Sequence, residues 1–167
     1  MSRGPGRVER AIEEAFRSNP TETFTAGELA VFVYPGLNRV EKKHRVAILR
    51  AGYRVAPRLH WLTYRCERPG GDIVFCNGLD VQSYTMGRAR ADFIWNGRSV
   101  EEINHQLHNP SDYPYAQRWH ELCQLGGAFA EHVKINRLYA DGKPAEARQL
   151  AQELEARAMG RMRGMAI

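Results

Sequence analysis

No apolar run in the 167 residues approaches the length of a membrane span, and the first residues lack the apolar core of a signal peptide. The expectation is a cytoplasmic protein. Cysteine is scarce. Three residues, an odd number and widely spaced, do not make a secreted disulfide framework. No phosphate-binding glycine loop is present, because Gly70-Gly71 and Gly126-Gly127 lack the lysine and the strand-to-helix context. There is no nucleophile elbow. His108, Asn109 and His120 distantly suggest an HNH nuclease, but strand context and an acidic partner are missing. The expectation is a protein that is not an enzyme. Acidic residues are nearly missing from one stretch: residues 36–68 hold 9 Lys and Arg against 2 Asp and Glu, a local charge of +7.

The whole chain carries +5, with +6 over residues 1–90 and −1 over residues 91–167. A positive field confined to one segment implies a polyanionic partner more strongly than a diffuse one. Charged residues are 26% and hydrophobic residues 43%, a globular composition that can bury a core without disulfides or metal.

The basic segment centres on Asn38 to Ala56. At helical spacing Val40, Ile48, Ala51, Gly52 and Val55 share one side. Arg39, Lys42, Lys43, Arg50 and Arg54 share the other, with Val46 and Ala47 between them. One side suits a small core, and the other suits an anionic surface such as a DNA major groove. His44 projects inward and Arg45 lies at the margin. Asn38 fits a helix cap or a phosphate contact, with the cap preferred. Arg58 fits a phosphate contact or a solvated loop charge equally well.

Upstream, Arg7 to Ser18 carries a stripe of Val8, Ile12, Ala15 and Phe16, and Asn19-Pro20 ends it. Thr25-Ala-Gly-Glu28 is a capping box opening a short helix to Val33 or Tyr34, with Leu29 and Val33 inward. Tyr34-Pro-Gly-Leu37 is a turn. Downstream, two alternating strands flank the Arg68-Pro-Gly-Gly71 turn. With Glu67 opposite Asp72, Leu62, Tyr64, Cys66, Ile73 and Phe75 share an apolar face and Arg65 faces away. Cys66 and Cys76 then point to opposite faces, which argues against a disulfide or a shared metal.

The order of helix, capped helix (TAGELAVFVY), turn (PGLN), basic helix and hairpin (WLTYRCERPGGDIVFC) resembles a winged helix-turn-helix domain over residues 7–77, under half the chain. The resemblance implies a recognition helix in the major groove and a wing touching backbone or minor groove. The candidate DNA contacts are Arg39, Lys42, Lys43, Arg50 and Arg54, then Arg65 and Arg68. Arginine suits guanine edges and lysine suits phosphate.

Residues 77–97 read poorly: Tyr84 to Arg90 as a basic linker or third strand, Asp92 to Trp95 as a further short strand. Ser99-Val-Glu-Glu102 is a second capping box, opening a helix to Leu107. From about Tyr115 to Ala140 the pattern is helical, with Gly126-Gly127 as a kink. Pro144 opens a last helix to about Met159. LYADGKPAEARQLAQELEARA faintly resembles a tetratricopeptide-type helix pair, without a second copy. His105, His108, His120 and Cys123 form two ligand-spaced pairs, but match no known finger pattern. No metal and no cofactor are expected.

The expected fold class is mainly α with a small β-hairpin wing: a winged helix-turn-helix domain at 7–90, a helical region at 98–160 and a mobile basic tail at 161–167. The expected function is sequence-specific double-stranded DNA binding by a small prokaryotic or phage transcriptional regulator, cytoplasmic and nucleoid-associated. It would be a homodimer through residues 98–160. The alternatives are a protein-interaction or inhibitor module on the same scaffold, and a non-specific nucleoid or DNA-packaging protein.

Overall fold

The computed structural model describes residues 6–66, 71–94 and 128–164. The helix expected at 99–107, the His and Cys pairs and Arg68 lie outside them. The described residues are mostly helical with a small antiparallel sheet. The elements are α1 (Arg7–Ser18), β1 (Thr23–Thr25), α2 (Ala26–Val33), α3 (Lys42–Arg58), β2 (Trp61–Arg65), β3 (Ile73–Asn77), α4 (Val81–Ile94), α5 (Ala128–Ala140) and α6 (Pro144–Gly164). None of these helices is long and apolar enough to cross a membrane.

α1 buries the stripe its spacing sets out, through Ile12, Ala15 and Phe16. It stops where the Asn19 amide donates to the Ala15 carbonyl (2.9 Å) and Pro20 follows. α2 begins at the expected capping box. The Glu28 amide donates to Thr25 Oγ1 (3.3 Å) and the Thr25 amide donates to Glu28 Oε2 (2.7 Å). Leu29, Ala30 and Val33 turn inward. Gly36, at φ +83°, makes the tight turn toward α3 that an L side chain would resist.

α3 starts three residues later than expected. Its cap is Glu41 rather than Asn38: the Glu41 carboxylate takes the amide of His44, and the Glu41 amide donates to His44 Nδ1 (3.2 Å). The His44 ring is half-buried and rests on Tyr34, with 4.9 Å between centroids. Pro57 lies inside the last turn, and Arg58 ends the helix.

The sheet runs β1-β3-β2, all antiparallel. β1 was not expected. It pairs Thr23 with Cys76 and Thr25 with Val74. The hairpin register differs by one from expectation. Arg65 opposes Ile73 and Trp61 opposes Asn77, so Asp72 faces Cys66 instead of Glu67. A slip of one residue turns a whole strand over. Trp61, Ile73 and Phe75 therefore form the face toward α1 and α3, where Trp61 stacks flat on Phe16 at 3.8 Å. This is a large aromatic area to bury, and it outweighs the face set by Leu62 and Tyr64. Leu62, Tyr64, Cys66, Val74 and Cys76 share the other face. Cys66 and Cys76 are thus on one face, not opposite ones, but about 13 Å of strand separates them. Both are buried, and neither is in a disulfide.

That second face is covered by α4, the element that residues 81–94 form in place of the linker and strands expected there. Asp80 opens it by accepting from the Ser83 amide (2.8 Å). Ser83 Oγ donates to the Glu22 carbonyl (2.6 Å) and accepts from the Asn77 amide (2.8 Å). A Cβ on Gly87 would lie 2.5 Å from Cys76 Cβ, so glycine sets how closely α4 approaches β3. Arg90, only 1% exposed, donates to the Thr23 carbonyl (2.9 Å), to Thr23 Oγ1 (2.6 Å) and to both oxygens of Glu28 (2.9 and 2.8 Å). The sheet is consequently a middle layer between α1–α3 and α4.

α5 packs on α4 through a Phe129–Tyr84 contact (5.9 Å) and is pinned by Asn136 to the Gly78 carbonyl (3.0 Å) and by Arg137 to the Leu79 carbonyl (2.7 and 3.0 Å). Gly142, at φ +72°, turns the chain into α6, whose first residue is Pro144 as expected. Val133, Ile135 and Ala147 are buried in this helical hairpin.

Candidate nucleic-acid interface

α3 is held by its inward row. Ile48 and Val55 are fully buried, Ala51 and Gly52 nearly so, and the backbone at Gly52 lies against the Phe75 ring. These contacts turn the opposite row outward. Lys42, Lys43, Arg45, Val46, Arg50, Tyr53 and Arg54 are exposed, and Arg39 is exposed just before the helix. The polarity read from the sequence is therefore present, and Val46 lies among the cations as expected, at 37% exposure. Two points are added: Arg45 is outward rather than marginal, and Tyr53 joins the row at 45% exposure.

The candidate cations divide into two groups. In the first half of the helix, Arg39, Lys42 and Arg45 surround an open depression of about 650 Å³ with Val40 and Glu41. Neither their side chains nor that of Arg50 forms a hydrogen bond or ion pair with another described residue. Lys43 lies 2.9 Å from Glu41, both well exposed. The hydrogen bond and charge of Lys43 hold the Glu41 carboxyl below its ordinary range. In the second half the charges are already matched. Arg54 meets Glu9 of α1 at 2.7 Å, and Arg58 lies 3.7 Å from Glu9 and 3.9 Å from Glu13. Arg54, expected as a DNA contact, is engaged with α1, and Arg58 is a helix-to-helix ion pair rather than a loop charge. The uncompensated field belongs to the N-terminal half of α3.

Arg65 ends β2 and is exposed. The corrected register puts it on the face of Trp61 and Phe75, the side on which α3 packs, rather than facing away. Arg90, which the sequence groups with basic linker residues, is buried and serves the fold. Its sequence signal was present but weak: Gly87, Ala89 and Ala91 around it mark a helix that lies close to its neighbours.

Among the described residues no group of three or more His, Cys, Asp or Glu is placed to hold a metal ion. One cluster lies apart from α3. Arg88 sits over the Tyr64 ring at 4.7 Å, and Tyr64, Tyr84 and His132 follow each other at 6.3 and 6.2 Å. Burial first, then the hydrogen bond with Tyr84, push the Tyr64 phenol well above its ordinary value, and burial pushes the Cys76 thiol up to about 12. These groups are held neutral and act as packing between α4 and the sheet. No family model matches the chain, and neither a curated protein nor a solved structure matches it.

Proposed function

We propose that this chain binds double-stranded DNA by laying the outer row of α3 in the major groove, with residues 7–77 working as a winged helix-turn-helix domain. The observation that carries this reading is the charge distribution on α3. Arg39, Lys42, Arg45 and Arg50 stand outward and unmatched by acid among the described residues, while the opposite row is buried. A surface helix needs charges for solubility, but then both signs are commonly interleaved. Here the acid beside the row is Glu41, and it is engaged as the helix cap. Recognition helices address base edges mainly from their N-terminal half, which is the unmatched half of α3. The activity proposed is occupancy of an operator by a small transcriptional regulator, without catalysis.

A regulator of this kind gains affinity by pairing two copies on two half-sites. Residues 98–160 are the segment proposed for that contact. Within the described part, α5 and α6 turn Val133, Ile135 and Ala147 inward and leave Tyr139 (50% exposed) as the hairpin's exposed large apolar side chain. A contact through it would be largely polar.

The test is duplex binding by fluorescence anisotropy across a salt series. Replacing Lys42 with Ala should lower the salt slope by about 1, and replacing Arg50 as well should weaken binding strongly. Arg54→Ala should change it less, because Glu9 already holds that charge. No binding to any duplex overturns the proposal, and equal affinity for all sequences moves it to a nucleoid or packaging protein. A second reading, a protein-docking module, is favoured by Val31 (70% exposed), Phe32 (45%) and Leu37 (39%) around α2. Under that reading, polar replacements there would abolish partner binding and the cations of α3 would be dispensable.

A further inference from the structure

We infer that Val46 and Arg50 form a two-residue reading pair, Val46 against a thymine C5 methyl and Arg50 on the O6 and N7 of a guanine within two base pairs of it. The inference rests on the DNA reading above and gives that site its target. Val46 is an apolar side chain left 37% exposed in the middle of a cationic row, one helical turn after Lys42 and one turn before Arg50. The core does not use it, because Ile48, Ala51 and Val55 fill the inward row. It gives nothing to a phosphate. In a major groove the one apolar feature of a base edge is the thymine methyl, and valine offers a matching methyl surface.

Arg50 is the reading arginine by position. Lys42 and Lys43 are point charges suited to phosphate, and Arg54 is tied to Glu9 at 2.7 Å. Arg39 precedes the helix and Arg45 is the immediate neighbour of Val46, about 100° around the helix from it, so of the three arginines without a side-chain partner among the described residues Arg50 alone lies one turn along the row of Val46. Positions 46 and 50 are separated by about 6 Å along the helix. That is close to two base-pair rises of roughly 3.4 Å, so the two side chains address neighbouring steps of one site. The same pair cannot work on double-stranded RNA, whose major groove is too narrow for side chains to read.

The experiment starts with duplexes enriched by the full chain from a randomised library. In the enriched duplex each thymine is replaced in turn by uracil, which removes the methyl group alone. Binding of the wild type, Val46→Ala and Arg50→Ala is then measured at fixed salt, with circular dichroism to check that the exposed substitutions leave the fold intact. The expected result is one uracil position that weakens the wild type about four-fold, the effect of one unburied methyl. That position changes the affinity of Val46→Ala by less than two-fold, and it lies within two base pairs of a guanine that Arg50→Ala no longer distinguishes. Wild-type insensitivity to every uracil, or equal sensitivity of Val46→Ala, overturns the pair while leaving DNA binding standing. Binding without enrichment of any sequence also overturns it. Failure to bind any duplex removes the DNA reading itself.

Discussion

Glu28→Gln should destabilise the protein far more than loss of a surface charge does. Glu28 serves two neighbours at once. It closes the capping box of α2, and it takes both oxygens to Arg90, which is 1% exposed. Glutamine can still close a capping box, so that part of the cost is small. The guanidinium is the larger matter. Removing one partner of a buried pair costs about 3–5 kcal/mol because the other charge stays buried and unpaired. Glu28 is itself 35% exposed, so water already weakens the pair. That brings the expectation to about 2–3 kcal/mol. Arg90→Met alone leaves the Thr23 carbonyl and hydroxyl without their donors, worth about 1–2 kcal/mol. The two changes together should not add. With the arginine gone, a neutral glutamine in place of Glu28 strands no charge, and the double variant should be no less stable than Glu28→Gln. The coupling energy of the cycle is then about 2 kcal/mol. Urea unfolding followed by far-ultraviolet circular dichroism and by tryptophan fluorescence measures it. Additivity within about 0.5 kcal/mol at unchanged m-values would refute the reasoning.

Glu9→Gln should release Arg54 from α1, while Arg58 keeps Glu13, and raise the salt slope of DNA binding by about 1, with a stability change under about 1 kcal/mol, since both arginines are exposed. Gly87→Ala should cost about 1–3 kcal/mol in denaturant unfolding, because the new Cβ meets Cys76 Cβ at 2.5 Å between two packed layers. The Cys76 thiol is pushed up to about 12 by burial, so it stays protonated in the folded chain while the unfolded chain loses the proton above its ordinary value near 9. The unfolded state then binds fewer protons, and stability falls as pH rises from about 9 toward 12. Between pH 9 and 10.5 the contribution is about 2 kcal/mol, read as the difference in alkaline unfolding between the wild type and Cys76→Ala. Peptide mapping after alkylation at neutral pH should find Cys76 unlabelled until the protein is unfolded.

The elements that follow one rule at a time were legible in the sequence. α1 shows its stripe, α2 its capping box, α3 its two opposed rows and α6 its proline at the first position. What stayed hidden depends on a third element. β1 is three residues long, Thr-Phe-Thr, and exists because β3 offers it an edge. The hairpin register turned on whether Trp61 or Leu62 faced the core, and alternation fits both answers. The stack of Trp61 on Phe16 decides it. α4 has no amphipathic stripe to detect, because β3 lies on one side of it and α5 on another, and Gly87 weakens its helical signal. On the candidate interface, the sequence located the row of cations but could not see that Glu9, far earlier in the chain, already holds Arg54 and Arg58.

The buried middle sheet bears directly on the proposed reading of DNA by α3. A hairpin packed on one face alone can rock against the helix beside it. Here β3 is covered on both sides, with Phe75 against α3 and Cys76 against Gly87 of α4. The two ends of the hairpin base are also tied together, since the Gly78 amide donates to the carbonyl of His60 (3.0 Å), a residue held at φ +59°. α5 adds three further bonds to the same loop through Asn136 and Arg137. The helical second half therefore need not touch DNA or a second copy to matter for recognition. By clamping the loop that joins β3 to α4, it fixes β2, and with it Arg65, relative to α3. Arg137→Ala should consequently weaken duplex binding with little change in the salt slope, because it loosens placement without removing a phosphate contact. A slope reduced by a full unit would instead mean that Arg137 meets the phosphates itself, and unchanged affinity would mean that the clamp does not reach the reading helix.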